Sequence, residues 1–498
     1  MERDVSTTER VGAATGGMHD LRDWLERVEA AGDLVRVEGE VDWDQEMSAL
    51  SYLLSKTPAS PAVLFERVRG YPNECQLLWN GLNTNRRTVI TLGEPPDRPV
   101  LESVQGLRDR LKRVIPPVEV DAATAPVNEH VLLGDDIDLW RFPVPRHWPL
   151  DGGRYLGTAD AVITRDPDSG LLNVGTYRMM VHDQRHVGLY VSPGKGAELH
   201  IARAWQRNEP LPVAAVLGGD PILFLVGAQA FPKNVCEYDY AGGIRGEPIE
   251  VVKGTTTDLP IPARAEIVLE GVIRPHAMRN EGPFGEFTGY YARPEAQTPV
   301  VDVTAIHFRA RPILMNALMS DAPSAYSSIM RSAGIWADLD RLGIPGIKGV
   351  YSHPGAVRGI HVISIEQRYA GHASQVLSLA AQCPSGAYFT QWIVVVDEDI
   401  DLLRNTWSTP LDPTQNPPEK RPYGSKALIN ACKEHRYLPV FAKRTRMTRD
   451  VYERALARWH ELRLPGHPPV VPSFEETAPA TYHESQELDP PPGPASVS

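Results

Sequence analysis

Hydrophobic positions near the start of the chain repeat with the period of a helix. In MHDLRDWLERVEAAGDL the residues Leu21, Trp24, Leu25 and Val28 share one face, with Asp20 placed to cap the first turn and Gly32 to end the last. The run LVRVEGEVDW then alternates apolar and polar residues as a half-buried strand does. Helix and strand patterns mix up to about residue 125, where the Pro-rich IPPVEVDAATAPV closes a first region, residues 18–125. From 126 to 315 short apolar runs dominate: AVITRD, VGLYVS, PVAAVLGG, ILFLVGA, AEIVLEGVI and VVDVTAIHF, separated by Gly, Pro and Asn turns. They predict a mainly β domain, a barrel or a sandwich. From 316 to 470 the helical SAYSSIMRSAGIWADLDRL and HASQVLSLAAQ flank the strand-like KGVYSH, GIHVISI and WIVVVDEDI, which predicts a third, α/β domain. Residues 1 to about 17 read as a flexible leader, and 471–498 hold too few apolar residues to pack, so an extended or disordered tail is expected.

Length agrees with this division, since 498 residues exceed what one core supports. Charge narrows the partners. The 51 Lys and Arg against 63 Asp and Glu leave a net −12, the wrong sign for a surface built to hold nucleic acid or anionic lipid, so a small-molecule ligand is the better expectation. The cysteines Cys75, Cys236, Cys383 and Cys432 form no close pair, which argues against a structural zinc site or a disulfide framework and fits a reducing cytosol. No apolar run approaches the roughly 18 residues of a membrane span, and the start MERDVSTTER lacks an apolar signal core, so a soluble, cytoplasmic protein is expected.

Four stretches carry candidate chemistry. RNEGPFGEFTGYY sets Glu281 and Glu286 around a Gly-Pro-Phe-Gly turn crowded with aromatics; a carboxyl held partly away from water there would hand over a proton near neutrality. In NVGTYRMMVHD, Asn173 and Arg178 lie five apart and would face opposite sides of a strand unless Gly175 breaks it. SPGKGAELHIARAW offers backbone N–H groups beside Lys195, a phosphate-binding device, ahead of a helix carrying His200. NVCEYDYAGG places Glu237 and Asp239 before a glycine pair. Asn, His and Glu together suit Mg²⁺ or Mn²⁺ bridging a phosphate better than zinc. Taken singly, each has an ordinary alternative: a surface Asn-Arg pairing, a solvated helix histidine, a solvated loop carboxylate, a tight turn between core strands.

Taken together, EGPFGEFTGYY, the upstream AEIVLEGVI, the NVGTYRMM run and the CEYDYAGG run, in this order, resemble the UbiD family of prenylated-FMN-dependent (de)carboxylases over roughly residues 18 to 470. The resemblance implies an α+β multidomain enzyme. Its parts would be an N-terminal α/β domain, a central split β-barrel of the flavin-reductase type binding prenylated FMN, and a C-terminal α/β domain that dimerises. It further implies that Arg178, Glu281 and Glu286 form the catalytic network: Arg178 holds the substrate carboxylate, Glu281 steadies Arg178, and Glu286 protonates the carbon after CO2 departs. Asn173, His200 and Glu237 match the positions of a divalent metal, Mn²⁺ or Mg²⁺, on the cofactor phosphate, with K⁺ nearby. Gly175, Tyr177, Lys195 and Leu199 fall with them in the expected cofactor site. A flavin prenyltransferase would supply the cofactor to a homodimer or larger homo-oligomer.

The chain departs from the family pattern where DLLRNTWSTPLDP, around Pro410, lacks an expected arginine and where Gln391 stands near an expected lysine. Asp397, Glu398, Asp399 and Asp401 read as a polar strand end rather than a rival metal site, because consecutive residues cannot all face one ion. Phe287, Tyr290, Tyr326 and Phe441 are candidate pocket walls, for an aromatic or heteroaromatic acid in preference to an α,β-unsaturated one. Two rival readings use the same residues: a metal- or water-dependent hydrolase with Glu281 and Glu286 as acid and base, and a non-catalytic flavin-binding protein.

Overall fold

The computed structural model describes residues 17–72, 75–232, 234–320, 326–354, 359–387, 390–396 and 443–472. The first helix spans Leu21–Ala30, with the Asp20 side chain accepting from the Arg22 and Asp23 backbone N–H groups and with Leu21, Trp24, Leu25 and Val28 buried. Strand Leu34–Val41 follows and runs parallel to Ala62–Val68, which pairs antiparallel with Gln76–Trp79. The fourth strand of this sheet, Ile313–Met315, arrives from the far end of the central region and lies parallel to Gln76–Trp79. The first and central regions are thereby stitched through backbone hydrogen bonds.

The central sheet is antiparallel and curled. Its strands run in the order Arg154–Gly157, Met179–Val181, His186–Leu189, Ala296–Phe308, Ile267–Glu281, Leu211–Leu217, Asp160–Arg165, Leu172–Gly175, and His130–Leu133 adds to Ala296–Phe308. Ile267–Glu281 and Ala296–Phe308 make a long hairpin whose register slips between Ile273 and Met278, and whose tip carries the Gly-Pro-Phe-Gly turn.

Two segments differ from the sequence expectation. ILFLVGA, expected as a β-like run, is the helix Pro221–Gly227, begun by Pro221 and capped by Asp220, whose side chain accepts from the Ile222 N–H. Every residue from Pro221 to Val226 is buried, and a helix enclosed on all sides shows no polar face to betray its period. The Pro-rich connector, in turn, contributes a short strand, Val118–Glu119, parallel to Glu250–Lys253.

Helix Tyr326–Arg341 packs on strand Ile347–Ser352 of a three-stranded sheet completed by Ile360–Ile365 and Trp392–Val396. The last described helix, Arg449–Ala457, returns to pack on Glu46–Ser55 of the first region. Arg458 secures it there, donating to Glu46 Oε1 at 2.7 Å and to the Glu40 carbonyl at 2.5 Å. Asp397, Glu398, Asp399, Asp401, Pro410, Cys432, Phe441 and the tail beyond Pro472 lie outside the described residues. Among the described residues no helix is long and apolar enough to cross a membrane.

Candidate active site

The strand Ile267–Glu281 delivers Glu281 to the hairpin tip, and the turn after it is pinned to the segment Trp148–Tyr155. Gly152 N–H donates to the Pro283 carbonyl at 2.8 Å. Asp151 accepts from Gly285 N–H at 2.9 Å with one oxygen and from Trp148 N–H at 2.9 Å with the other. The approach is so close that a Cβ on Gly152 would sit 1.9 Å from the Gly282 carbonyl oxygen, so this position has room for no side chain. Phe284 is wholly buried beneath the turn, its ring 4.1 Å from that of Tyr155. Burial pushes the Asp151 carboxyl up to about 7, against the pull of its two backbone donors.

Arg178 also meets this turn. Strand Leu172–Gly175 ends and Met179–Val181 begins the next, so Thr176 to Arg178 leave the sheet between them. This is the break the spacing of Asn173 and Arg178 required, and both residues line one cavity. Gly175 permits it: the Tyr177 hydroxyl folds back to 2.3 Å from where a Cβ on Gly175 would lie. The Arg178 fork then spans the two glutamates. Nε and Nη2 donate to Glu281 Oε1 and Oε2 at 2.8 and 3.1 Å, and Nη1 donates to Glu286 Oε1 at 2.8 Å. Burial alone would lower the Arg178 pKa, but the Glu281 carboxylate outweighs it and raises it, so the guanidinium stays charged in a nearly dry site.

The two carboxylates differ in setting. Glu281 has no exposed side-chain surface, also accepts from Tyr155 Oη at 3.0 Å, and stands behind Arg178 rather than on the cavity wall. Glu286 keeps 20% of its side chain accessible and lies on the wall. The desolvation expected for at least one glutamate thus falls mainly on Glu281, where arginine matches its charge, and the accessible one is Glu286.

The cavity measures about 780 Å³, within the roughly 300–1,000 Å³ usual for small-molecule sites. Its wall brings together Asn173, Gly175, Tyr177, Arg178, Lys195, Leu199, His200, Glu237, Glu286 and Phe287. The turn expected before His200 is present, with Gly194 at φ +79° and helix Gly196–Gln206 starting directly after Lys195. A Cβ on Gly196 would meet Asn173 Oδ1 at 1.8 Å, so the amide is pressed against the start of that helix. His200 Nδ1 is engaged by Thr164 Oγ1 at 2.9 Å, which leaves Nε2 as the nitrogen for a ligand. Glu237 opens helix Glu237–Arg245 and accepts from Val174 N–H at 2.7 Å; burial pushes its carboxyl up to about 7. A half-buried carboxylate answered by one amide is a natural partner for a cation, so these residues fit a hard metal on a phosphate. Among the described residues, however, no group of three or more His, Cys, Asp and Glu is placed to hold a metal; the candidate set has an amide as its third member.

Some sequence candidates lie elsewhere. Asp239 is off the cavity wall. Gln391 is exposed, its N–H donating to the Gly359 carbonyl. Tyr290 faces Arg444 rather than the cavity. Conversely, nothing in the sequence flagged Tyr190, which touches Arg178; Tyr155 and Arg293, which bind its partner Glu281; or Asp151, which holds the turn; none sits in a recognisable motif.

Models of the 3-octaprenyl-4-hydroxybenzoate carboxy-lyase match most of the chain. The N-terminal domain matches residues 25–107, the Rift-related domain 118–322 and the C-terminal domain 326–403. The chain belongs to the UbiD family. A phenolic acid decarboxylase of Escherichia coli O157:H7 is 31% identical over 404 residues, covering 77% of this chain and 81% of its own. An evolved dimeric form of the UbiD-class enzyme HmfF from Pelotomaculum thermopropionicum, solved in complex with prFMN, has a TM-score of 0.71 at 30% identity, covering 80% of this chain and 91% of its own. Vanillic acid decarboxylase from Sedimentibacter hydroxybenzoicus, in its closed form, has a TM-score of 0.73 at 26% identity, covering 85% and 98%. As a UbiD-family member the chain is an enzyme of the carboxy-lyase class with a mixed α+β fold.

Proposed function

We propose that the chain catalyses non-oxidative, reversible decarboxylation of an aromatic or heteroaromatic acid with prenylated FMN in this cavity. The observation that carries the reading is the Arg178 fork, held by buried Glu281 behind and by Glu286 on the cavity wall. The HmfF complex with prFMN supports the cofactor, and the phenolic acid and vanillic acid decarboxylases among the relatives support an aromatic acid. Asn173, His200 and Glu237 would hold Mn²⁺ or Mg²⁺ against the cofactor phosphate, with K⁺ nearby. Lys195 and the Ser192–Gly196 turn would add positive charge and N–H donors. The partition at 125 and 315, a homodimer and supply by a flavin prenyltransferase belong to the same proposal.

Bound prenylated FMN supplies the electron sink that an acid on an sp² carbon lacks. The protein does the rest. Arg178 binds and orients the substrate carboxylate. As the bond to that carboxylate breaks and CO2 leaves, Glu286 delivers its proton to the same carbon, and water access through its exposed edge restores the proton. In the carboxylating direction Glu286 takes that proton back.

The test is co-expression with a flavin prenyltransferase, mass analysis of the released small molecule, metal analysis of the intact protein, and a panel of acids. Prenylated FMN, about one divalent ion per chain and turnover of hydroxybenzoates or pyrrole- or indole-carboxylates are expected. Asn173→Ala and Glu237→Ala should lower metal and flavin content together. Full retention of both by either variant would remove the metal assignment. Turnover restricted to cinnamate-like acids would overturn the aromatic preference.

A further inference from the structure

Glu281 serves two arginines. Besides the Arg178 fork, its Oε2 accepts from Arg293 Nη1 at 3.3 Å, while Arg293 Nη2 donates to the Gln297 carbonyl at 3.3 Å. The two guanidiniums also share an aromatic ring. Arg178 lies 4.2 Å and Arg293 4.4 Å from the centroid of Tyr190, which lines the cavity. Arg293 itself is not on the cavity wall, and a quarter of its side chain is exposed.

Charge counting shows what the second cation does. Without Arg293, and with Glu286 protonated, the one positive charge on Arg178 would be matched by the carboxylate of Glu281, leaving none for an incoming anionic substrate. With Arg293, the buried Glu281 has a cation of its own. In the form with Glu286 carrying the proton it is to donate, Arg178 and Arg293 then exceed Glu281 by one charge, the charge of one substrate carboxylate. An exposed ion pair would be worth little, but the Glu281 end of this pair has no exposed surface. The Tyr190 ring, in contact with both cations, helps set the plane along which the Arg178 fork meets its ligand.

We propose that Arg293 is a positioning residue for carboxylate recognition: it answers the charge of Glu281 and braces Tyr190, so that Arg178 has both charge and orientation to spare for an acid. This rests on the reading that Arg178 binds the substrate carboxylate. The signal in the sequence is slight, a lone arginine in YYARPEAQ beyond the motif. Arginine is the suitable residue because its planar fork can engage the carboxylate, the Gln297 carbonyl and the ring face together.

The test compares Arg293→Met and Arg293→Lys with the parent protein, all loaded with flavin. The probes are benzoate and its uncharged analogue benzamide, measured by calorimetry, together with KM and kcat for whichever acid the panel finds. The parent should prefer benzoate, and Arg293→Met should erase most of that preference and raise KM by about tenfold while kcat falls far less. Arg293→Lys, which keeps the charge, should recover most of the preference. An unchanged benzoate preference and KM in Arg293→Met would overturn the proposal. So would equal losses of benzoate and benzamide binding in both variants, tracking a lowered melting temperature, which would make Arg293 a structural tie. The outcomes separate the two readings: a parent that turns over no acid defeats the decarboxylase reading, whereas the benzoate preference still reports on Arg293.

Discussion

Glu281 and Glu286 are the same residue type five positions apart, and the turn between them gives them different duties. One is enclosed by Tyr155 and two arginines, and the other reaches the cavity. Glu286→Gln keeps the shape and loses the transferable proton, so flavin content should be preserved while kcat falls by roughly 10²–10⁴-fold. Single-turnover kinetics on the loaded enzyme measures this, and unchanged turnover would remove Glu286 from the mechanism. Asp151, which holds the turn without touching the cavity, carries a pH prediction. Its folded pKa of about 7 stands above the ordinary carboxylate value, so the folded state retains a proton that the unfolded chain releases. The stability this contributes is complete below about pH 4 and is lost as pH rises to about 7. Melting temperatures of the parent relative to Asp151→Asn should therefore decline across that window. A flat difference would show that Asp151 titrates like an exposed aspartate.

At the scale of elements, the docking of the hairpin tip on Trp148–Tyr155 decides whether the fork forms. Gly152→Ala forces a methyl into the Gly282 carbonyl, and the displaced turn carries Glu286 with it. A loss of about 1–3 kcal/mol of stability is expected from the overpacking, with a larger proportional loss in kcat; thermal melts and kinetics together check it. Most elements near the site were legible from pattern. Helix Leu21–Ala30 showed its buried face and cap, and strands such as Leu211–Leu217 and Ala296–Phe308 showed as apolar runs. Helix Pro221–Gly227 did not, because complete burial erases periodicity, and strand Val118–Glu119 did not, because two residues carry no period. The grouping of Asn173, Arg178, His200, Glu237 and the turn glutamates was legible only through the family resemblance. Tyr190 and Arg293 escaped even that, since neither lies in one of the stretches that carry the resemblance.

Over the whole molecule, the chain crosses between its regions more than once. Ile313–Met315 completes the first sheet, and the last described helix, Arg449–Ala457, returns to Glu46–Ser55. Trp459, fully buried in the core shared with Tyr52 and Trp148, ties that return. Trp459→Ala should cost about 3–5 kcal/mol, moving the urea midpoint of the first region although the substitution lies near the other end of the chain. An independent transition that leaves the first region unmoved would show that the return contributes little. The cavity, likewise, is walled by segments from the first region, Gly81 to Asn83, and from the central sheet and its helices. What the sequence by itself determined is local: the period of each amphipathic helix and strand, the glycines and prolines of the turns, the net acidity, and the motifs that mark a UbiD-family carboxy-lyase. Those properties are written in neighbouring residues, and propensity and pattern read them directly. Only the tertiary structure decided which glutamate is buried, which helix hides within the β region, and that Arg178 and Arg293 share Glu281 and Tyr190. Burial and charge pairing depend on what packs across the fold, and no spacing along the chain encodes that.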